Sequence, residues 1–144
     1  MEQRRHWMGV LARADREALQ ARLQTLGSLP DGEIVRPAET GTLMIEGRAG
    51  GSGVRFNLGE ATVTRCVMRV DGRLGFSYAL GRDRTKAELS AKLDALLQDP
   101  HRQDDLIAAV ITPLAHAQED KRVEASRKAA ATKVDFFTLV RGDE

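Results

Sequence analysis

Three closely spaced glycines are the residues of this chain that come nearest to a ligand-binding motif. The backbone N–H groups of Gly50, Gly51 and Gly53 could form a nest for a phosphate or phosphonate anion. The segment has neither the GxxxxGK[ST] pattern of a P-loop nor a GxGxxG pattern, and it is predicted to join two strands, so no helix dipole would assist binding. A glycine-rich connection between strands is the alternative interpretation.

A cluster of polar side chains follows the glycines on a predicted strand. These side chains could position a ligand or a loop of a partner protein, although hydroxyl and carboxylate groups on a half-buried strand are also common structural elements. Both interpretations remain open from the sequence alone. The cluster consists of Asn57, Glu60, Thr62, Thr64 and Arg65.

The single thiol and the few histidines carry weaker signals. Cys66 lies inside a predicted strand with no histidine near it in the sequence, which favours a buried, inert thiol over a nucleophile. His116, Glu119 and Asp120 have ligand-like helical spacing, but no second pair of ligands is nearby, so we expect no metal site. No Ser-His-Asp arrangement or carboxylate pair stands out, and no catalytic residue is predicted.

Composition narrows the class of protein. With 144 residues, the default expectation is one domain over residues 1–144. The 22 Lys and Arg residues balance 21 Asp and Glu residues, so no surplus of positive charge favours nucleic acid as a partner. No apolar run approaches the roughly 20 residues that span a bilayer, and no charged-then-apolar leader opens the chain. Together with the single cysteine, these features lead us to expect a cytoplasmic protein that binds neither membranes nor nucleic acid.

Hydrophobic spacing predicts helices at the start of the chain. Over residues 3–26 apolar side chains recur at intervals of three and four residues, which indicates two short helices. Asp15 can cap the second helix and Gly27 can end it.

The middle of the chain has the features of an antiparallel sheet. Residues 33–81 are predicted to form a meander of about four strands, at 33–38, 42–48, 61–70 and 73–80. If Asp71-Gly72 is a two-residue turn, Val67 lies opposite Phe76, and alternate residues such as Cys66 point to the other face. Both faces then carry apolar side chains. The chain's own helices can cover one face, and a partner subunit is a plausible cover for the other.

The last part of the chain is predicted to be helical over residues 85–133. Thr85 and Glu88 fit a capping box for the first helix, and Pro113 either interrupts the next helix or begins another at its first turn. Residues 134–144 form an apolar tail that we expect to dock on this chain or on a neighbour. The expected interface residues are Phe136, Phe137, Leu139, Val140, Asn57 and Glu60.

Four stretches of the chain together resemble one protein family. They are HWMGVLA at 6–12, GRAGGSGVRFNLGEATVTRC at 47–66, GRD at 81–83 and the closing VDFFTLVRGDE. In this order and spacing they resemble PhnG, the G subunit of bacterial carbon–phosphorus lyase, nearly from end to end. One departure is Lys86, at a position where many members of that family are expected to have His.

The resemblance implies a function that is shared among several subunits. It implies association with the H, I and J subunits, each present twice. It also implies that G, H and I, helped by the L protein, replace the adenine of MgATP by an alkylphosphonate at ribose C1. In that family the nucleosidase chemistry is attributed to I and radical cleavage of the carbon–phosphorus bond to the iron–sulfur subunit J. The chain itself is therefore expected to bind no cofactor, and MgATP is a substrate of the complex.

Two hypotheses follow from the residues and the resemblance together. Both share an α+β fold in which N-terminal and C-terminal helices flank the antiparallel sheet. In the first, the chain is a structural subunit that positions its partners. In the second, the segment 50–53 and Arg65 or Arg82 donate hydrogen bonds to phosphate or phosphonate in a shared active site.

Overall fold

A computed structural model describes the backbone of residues 2–48 and 55–142, and the side chains of residues 2–44 and 59–131. Two short helices open the chain, α1 (Glu2–Arg13) and α2 (Arg16–Gln24). Asp15 occupies the N-cap position of α2, although its side chain makes no capping hydrogen bond. Gly27, with φ of +72°, adopts the left-handed conformation that suits the end of a helical segment. Both helices that the spacing predicts are therefore present.

The sheet is antiparallel, as predicted, with the order β1-β2-β3. Its strands are β1 (Glu33–Arg48), β2 (Arg55–Val70) and β3 (Arg73–Leu80). In the described residues there are three strands where about four were expected, because the predicted strands at 33–38 and 42–48 are one. The pairing shifts register between Ile34 and Arg36 and again between Arg36 and Glu39. Such bulges bend a strand around a residue like Pro37 without reversing the chain.

The hairpin between β2 and β3 follows the prediction. Asp71 and Gly72 have φ of 50° and 80°, as a two-residue turn with both central residues in the left-handed region requires. Val67 consequently pairs with Phe76, as the turn predicted.

The rest of the chain is helical. The helices are α3 (Arg84–Leu97), α4 (Gln103–Leu106) and α5 (Thr112–Gly142), with a π-helical segment (Ile107–Ile111) joining the last two. The predicted capping box at Thr85 and Glu88 is wrong. Asp83 caps α3 instead by accepting a hydrogen bond from the Lys86 N–H at 3.0 Å, which leaves Thr85 inside the first turn.

The start and end of α5 settle two further expectations. Pro113 is the second residue of α5, but α5 follows the π-helical segment without a break, so Pro113 neither stops the helix nor begins a separate one. The predicted boundary between a helix ending at residue 133 and a separate tail is not observed, because the backbone of α5 continues to Gly142.

A stripe of small residues brings α3 against one face of the sheet. Ala87, Ala91 and Ala95 recur at four-residue spacing, and all three are buried. Opposite them, Gly75 comes so close to α3 that an added Cβ would overlap the Ala91 carbonyl oxygen. The Ser77 hydroxyl donates to the Ala87 carbonyl at 2.7 Å. A larger apolar core, built around side chains such as Trp7, Leu19, Leu97 and Ile111, joins the helices to one another.

The carboxylate of Asp94 links α1, α3 and β3. It is fully buried and accepts hydrogen bonds from Arg4 Nε (3.1 Å) and Nη2 (2.8 Å), from Trp7 Nε1 (2.8 Å) and from the Phe76 backbone N–H (2.9 Å). The hydrogen bond to Asp94 raises the pKa of Arg4. A buried charge is tolerated only when it is paired and hydrogen-bonded, and Asp94 meets that condition with donors from two other elements.

Removing the Asp94 carboxylate should therefore destabilise the fold more than removing a surface carboxylate. We expect Asp94→Ala to lower the free energy of unfolding by about 3 kcal/mol, because Arg4, Trp7 and the Phe76 N–H lose their common acceptor. Glu33→Ala, which breaks an exposed pair with Arg69 at 3.4 Å, should cost under about 1 kcal/mol. Urea denaturation of both variants measures the difference, and equal losses would contradict this role for Asp94.

Gly75 should tolerate a methyl group poorly. In Gly75→Ala the new Cβ would also lie 2.6 Å from the Ala95 nitrogen, so α3 must move and the free energy of unfolding should fall by at least about 1–3 kcal/mol. Gly41→Ala is the matched control, since its Cβ would have no neighbour closer than 3.8 Å. Thermal denaturation should show a clear loss of Tm for the first variant and almost none for the second.

Candidate functional site

Within the described residues, helices cover one face of the sheet and leave the other open. On the covered face, Cys66 and Ala79 are at most 2% exposed beneath α3. On the open face, the large apolar side chains of β3 are between 38% and 48% exposed, namely Leu74, Phe76, Tyr78 and Leu80. An exposed apolar patch of this kind on an otherwise well-packed fold is typical of a binding surface.

A groove of about 450 Å³ runs across the open face. Arg36 and Glu39 contribute to it from β1, Arg65 and Val67 from β2, and the aromatic pair Phe76 and Tyr78 from β3. Strand register explains this grouping, because Arg36 pairs with Val67, Val67 with Phe76, and Arg65 with both Glu39 and Tyr78. Cross-strand partners share a face, so the hairpin register brings residues of all three strands together.

The groove combines positive charge with aromatic rings. Arg36 and Arg65 are exposed, and within the part of the chain whose side chains are described neither guanidinium makes a salt bridge. Arg4, at the edge of this face, lies over the Phe76 ring at 5.7 Å from its centroid. Arginine and aromatic residues are enriched at protein interfaces, and arginine also binds phosphate groups. This chemistry fits either an acidic and apolar protein surface or an anionic ligand.

The structure brings together only some of the predicted ligand-binding residues. Arg65 lines the groove, whereas Arg82 is exposed in the loop between β3 and α3 and is not part of the groove lining. The proposed anion nest at Gly50, Gly51 and Gly53 lies outside the described residues.

The predicted interface residues lie on parts of the chain that extend beyond the three-stranded region. Glu60 is exposed on β2, opposite Met44 of β1. Asn57 pairs with Glu46 in the same ribbon, and its side chain lies outside the described residues. The backbone of the tail residues belongs to α5, while their side chains also lie outside the described part: Phe136, Phe137, Leu139 and Val140.

Two elements project from the body of the fold. Beyond Val63, where the pairing with β3 ends, β1 and β2 continue as a two-stranded ribbon up to the pair Arg48 and Arg55. Helix α5 has 31 residues and is therefore about 46 Å long. Its described side chains from residue 119 to residue 131 are exposed except for Val123.

Cys66 lies under the groove but faces away from it. Its thiol donates a hydrogen bond to the Arg36 carbonyl at 3.4 Å on the covered side of the sheet. Burial raises the pKa of this thiol, and the negative charge of Glu88 adds to the effect. The expected buried, inert thiol fits this environment.

Sequence reasoning missed two charged residues that organise the edge of the site. Asp94 holds the Phe76 backbone, and the buried Lys86 donates from Nζ to the Leu80 carbonyl at 3.0 Å. Burial lowers the pKa of Lys86, while the charges of Asp83 and Asp15 oppose that shift. The available signal was Asp94 itself, an acidic residue at helical spacing from Ala91 and Leu97 on a mostly apolar stripe of α3.

His116, Glu119 and Asp120 are all exposed on α5, and Glu119 binds Arg122 at 2.7 Å. Among the described residues, no group of three or more His, Cys, Asp or Glu side chains is arranged to hold a metal ion. Within the same residues, no helix is both long and apolar enough to cross a membrane.

Two comparisons with known proteins point to the same family, and each covers nearly the whole chain. A family profile described as "Phosphonate metabolism protein PhnG" matches residues 2–142. The chain is 41% identical over 148 aligned positions to a protein of Rhizobium meliloti (strain 1021) named "Alpha-D-ribose 1-methylphosphonate 5-triphosphate synthase subunit PhnG". That alignment covers 99% of this chain and 91% of the relative.

The environment of Cys66 predicts slow reaction with thiol reagents. At pH 8 we expect iodoacetamide to alkylate the native chain at least about a hundredfold more slowly than the chain in urea, since the thiol is buried and protonated. Because this is the only cysteine, mass spectrometry of the intact chain measures the rate directly. Glutathione in the same tube is the control, and a native rate close to that of glutathione would contradict the assignment.

Proposed function

The chain belongs to the PhnG family of phosphonate metabolism proteins, and we propose that it is a subunit of a ribose 1-methylphosphonate 5-triphosphate synthase that binds and positions other subunits. With the H and I subunits and the L protein, it supports replacement of the adenine of MgATP by an alkylphosphonate, and it associates with the J subunit in the larger lyase assembly. The name of the Rhizobium meliloti relative supports membership in such a synthase. We expect this assembly to act in the cytoplasm, where the lone Cys66 stays reduced.

The observation that carries this proposal is the open face of the sheet. Helices cover only one side, so Tyr78 and Leu80 remain 48% and 45% exposed next to Arg65. Aromatic and arginine side chains clustered around a groove are the usual composition of an interface centre. The surface fits an extended contact with another protein.

The projecting elements support the same conclusion. A two-stranded ribbon has marginal stability in water, so the part of β1 and β2 beyond β3 gains stability if another subunit packs against it. Asn57 and Glu60 belong to that ribbon and form part of the proposed interface. The tail side chains on α5 complete the interface in this proposal, because aromatic residues there can bury on the order of 150–250 Å² each. They are Phe136, Phe137, Leu139 and Val140.

A subunit without catalytic residues can still decide the outcome of this reaction. In the transfer, the bond from ribose C1 to the adenine nitrogen breaks and a bond from C1 to a phosphonate oxygen forms. Water can attack the same carbon and give plain ribose 5-triphosphate. Holding the catalytic partner in a closed, dry geometry favours the phosphonate over water, and positioning effects of this kind can be large. No cofactor of its own is assigned to this chain.

The groove also supports a second candidate role. Arg36 and Arg65 lie on the same face and make no salt bridge with a described side chain, so they could donate hydrogen bonds to the triphosphate or the phosphonate in a shared site. In this alternative, Arg82 and the glycines at 50, 51 and 53 belong to the same set of donors.

Removing the apolar side chains of the open face should impair assembly without unfolding the chain. We expect the double variant Tyr78→Ser/Leu80→Ser to keep its Tm within a few degrees, because both side chains are already half exposed, and to weaken association with co-expressed H and I subunits at least about tenfold. Ile34→Ser is the matched control, since Ile34 is 49% exposed but pairs with Met68 on the opposite side of the sheet.

Quantitative co-purification with a tagged I subunit measures this association. If the double variant recovers as much H and I subunit as the control, the open face is not the interface. The alternative role is tested on the assembled complex with Arg65→Gln, by measuring the release of adenine and the yield of ribose phosphonate. A hundredfold loss of product in a complex that assembles normally would favour the shared-site interpretation.

A further inference from the structure

The outer edge of β3 is closed by side chains of α3. Two features show how β2 and β3 are hydrogen-bonded: the tight turn at Asp71-Gly72, and the hydrogen bond from the Gly81 N–H to the Thr62 carbonyl (2.8 Å). In this pattern the backbone groups of the even-numbered residues of β2 bond to β3. The even-numbered residues of β3 therefore direct their backbone groups outward. Three of these groups are bound by α3: Gln98 donates to the Leu74 carbonyl, the Phe76 N–H donates to Asp94, and Lys86 donates to the Leu80 carbonyl.

The outer edge of β1 has no such closure. Odd-numbered residues of β2 face β1, so the residues of β1 opposite them, Glu39, Gly41 and Leu43, point their backbone groups inward. The alternate residues Thr40, Thr42 and Met44 must then direct their N–H and C=O groups outward. No hydrogen bond to these outward groups is found within the described part of the chain, and all three residues are exposed.

The sequence of this edge also favours pairing with another strand. Soluble proteins normally protect an edge strand with lysine, proline, a bulge or a covering element. In β1 the proline and two register shifts lie before Glu39, and the pairing with β2 then runs without a shift as far as Ile45, where a third shift follows. The only ionised side chain in the stretch 39–44 is Glu39. One edge of the sheet is thus closed by three side chains of α3, while the other is regular, exposed and open.

We propose that the outer edge of β1 at residues 40–44 accepts an extended strand from another subunit of the synthase, which continues the sheet by β-augmentation. This inference rests on the proposed function, since it needs a partner subunit. Backbone hydrogen bonds to Thr40, Thr42 and Met44 supply the main contacts. Glu39, at the start of this edge, favours a basic side chain in the incoming strand.

A proline at position 42 tests whether an outward backbone N–H of β1 binds the partner strand. Thr42→Pro removes an outward N–H while leaving the inward hydrogen bonds to β2 in place, as proline is tolerated on an edge strand with its nitrogen facing solvent. Thr42→Val keeps the N–H and is the matched control. With H and I subunits co-expressed, we expect Thr42→Pro to weaken association at least about tenfold and Thr42→Val to leave it within about twofold.

Amide hydrogen exchange provides a second measurement on the unaltered chain. In the isolated chain the amides of Thr40, Thr42 and Met44 should exchange rapidly, and those of Glu39 and Gly41, which pair with β2 inside the three-stranded part, slowly. In the purified complex with H and I subunits, the first group should become protected at least about a hundredfold. This alternation of protection distinguishes strand pairing from general burial, and it remains informative if Thr42→Pro does not fold.

The outcomes separate this inference from the proposed function. If the complex forms and the three amides still exchange rapidly, the strand proposal is overturned and the subunit role stands. If no complex forms with any of the subunits, both are overturned. Protection that appears in the isolated chain and grows with its concentration would assign the edge to a second copy of this chain, contradicting the proposal of a different subunit.

Discussion

The buried carboxylate of Asp94 is the interaction on which the arrangement of this fold most depends. It lies at the point where α1, α3 and β3 meet, and it is hydrogen-bonded by a guanidinium, an indole and a backbone amide from the other two elements. A carboxylate without water is stable only while all its donors stay in place, so its burial fixes the three elements relative to one another. The same network holds Arg4 over Phe76, at the edge of the open face. The orientation of an exposed aromatic side chain therefore depends on a buried charge.

Small residues on α3 and β3 let the helix pack closely on the sheet. This packing determines which surfaces of the sheet remain exposed. Since Gly75 and Ala91 allow α3 to lie directly on the sheet, its side chains reach the outer edge of β3 and bind the backbone there. The remaining helices pack on the same side, around Trp7 and Leu97. The open face and the outer edge of β1 are left to be covered by something else. An exposed apolar face and an unprotected edge are the two kinds of surface that favour association with another chain.

The sequence predicts local structure well and long-range contacts poorly, for identifiable reasons. Asp71-Gly72 fixes the register of the β2–β3 hairpin, because a two-residue turn allows only one alignment, and the opposition of Val67 and Phe76 follows from it. The sequence carries no comparable signal for a bulge, so the pattern predicts two strands at 33–38 and 42–48 where the structure has one. The capping box predicted at Thr85 is wrong because Asp83, two residues earlier, caps α3. The pattern of α3 marks Asp94 as an unusual acidic residue, but its partner Arg4 is 90 residues away in the chain, so the pair itself is not visible in the sequence.

The candidate site shows the same contrast between local features, which the sequence predicts, and long-range contacts, which it does not. Arg65 was recognised from the sequence, but its companions on the groove, Arg36 and Tyr78, are brought to it only by strand pairing. The buried polar side chains of the described part mostly serve the fold: Thr64 donates to the Gly81 carbonyl, Ser77 to that of Ala87, and Lys86 to that of Leu80. Active sites keep polar groups poised toward a cavity where their pKa values can be used. Here the cavity is lined instead by exposed arginines and aromatic rings, which recognise a surface by charge and shape. The groove is therefore better suited to recognising a charged and apolar surface than to transferring protons.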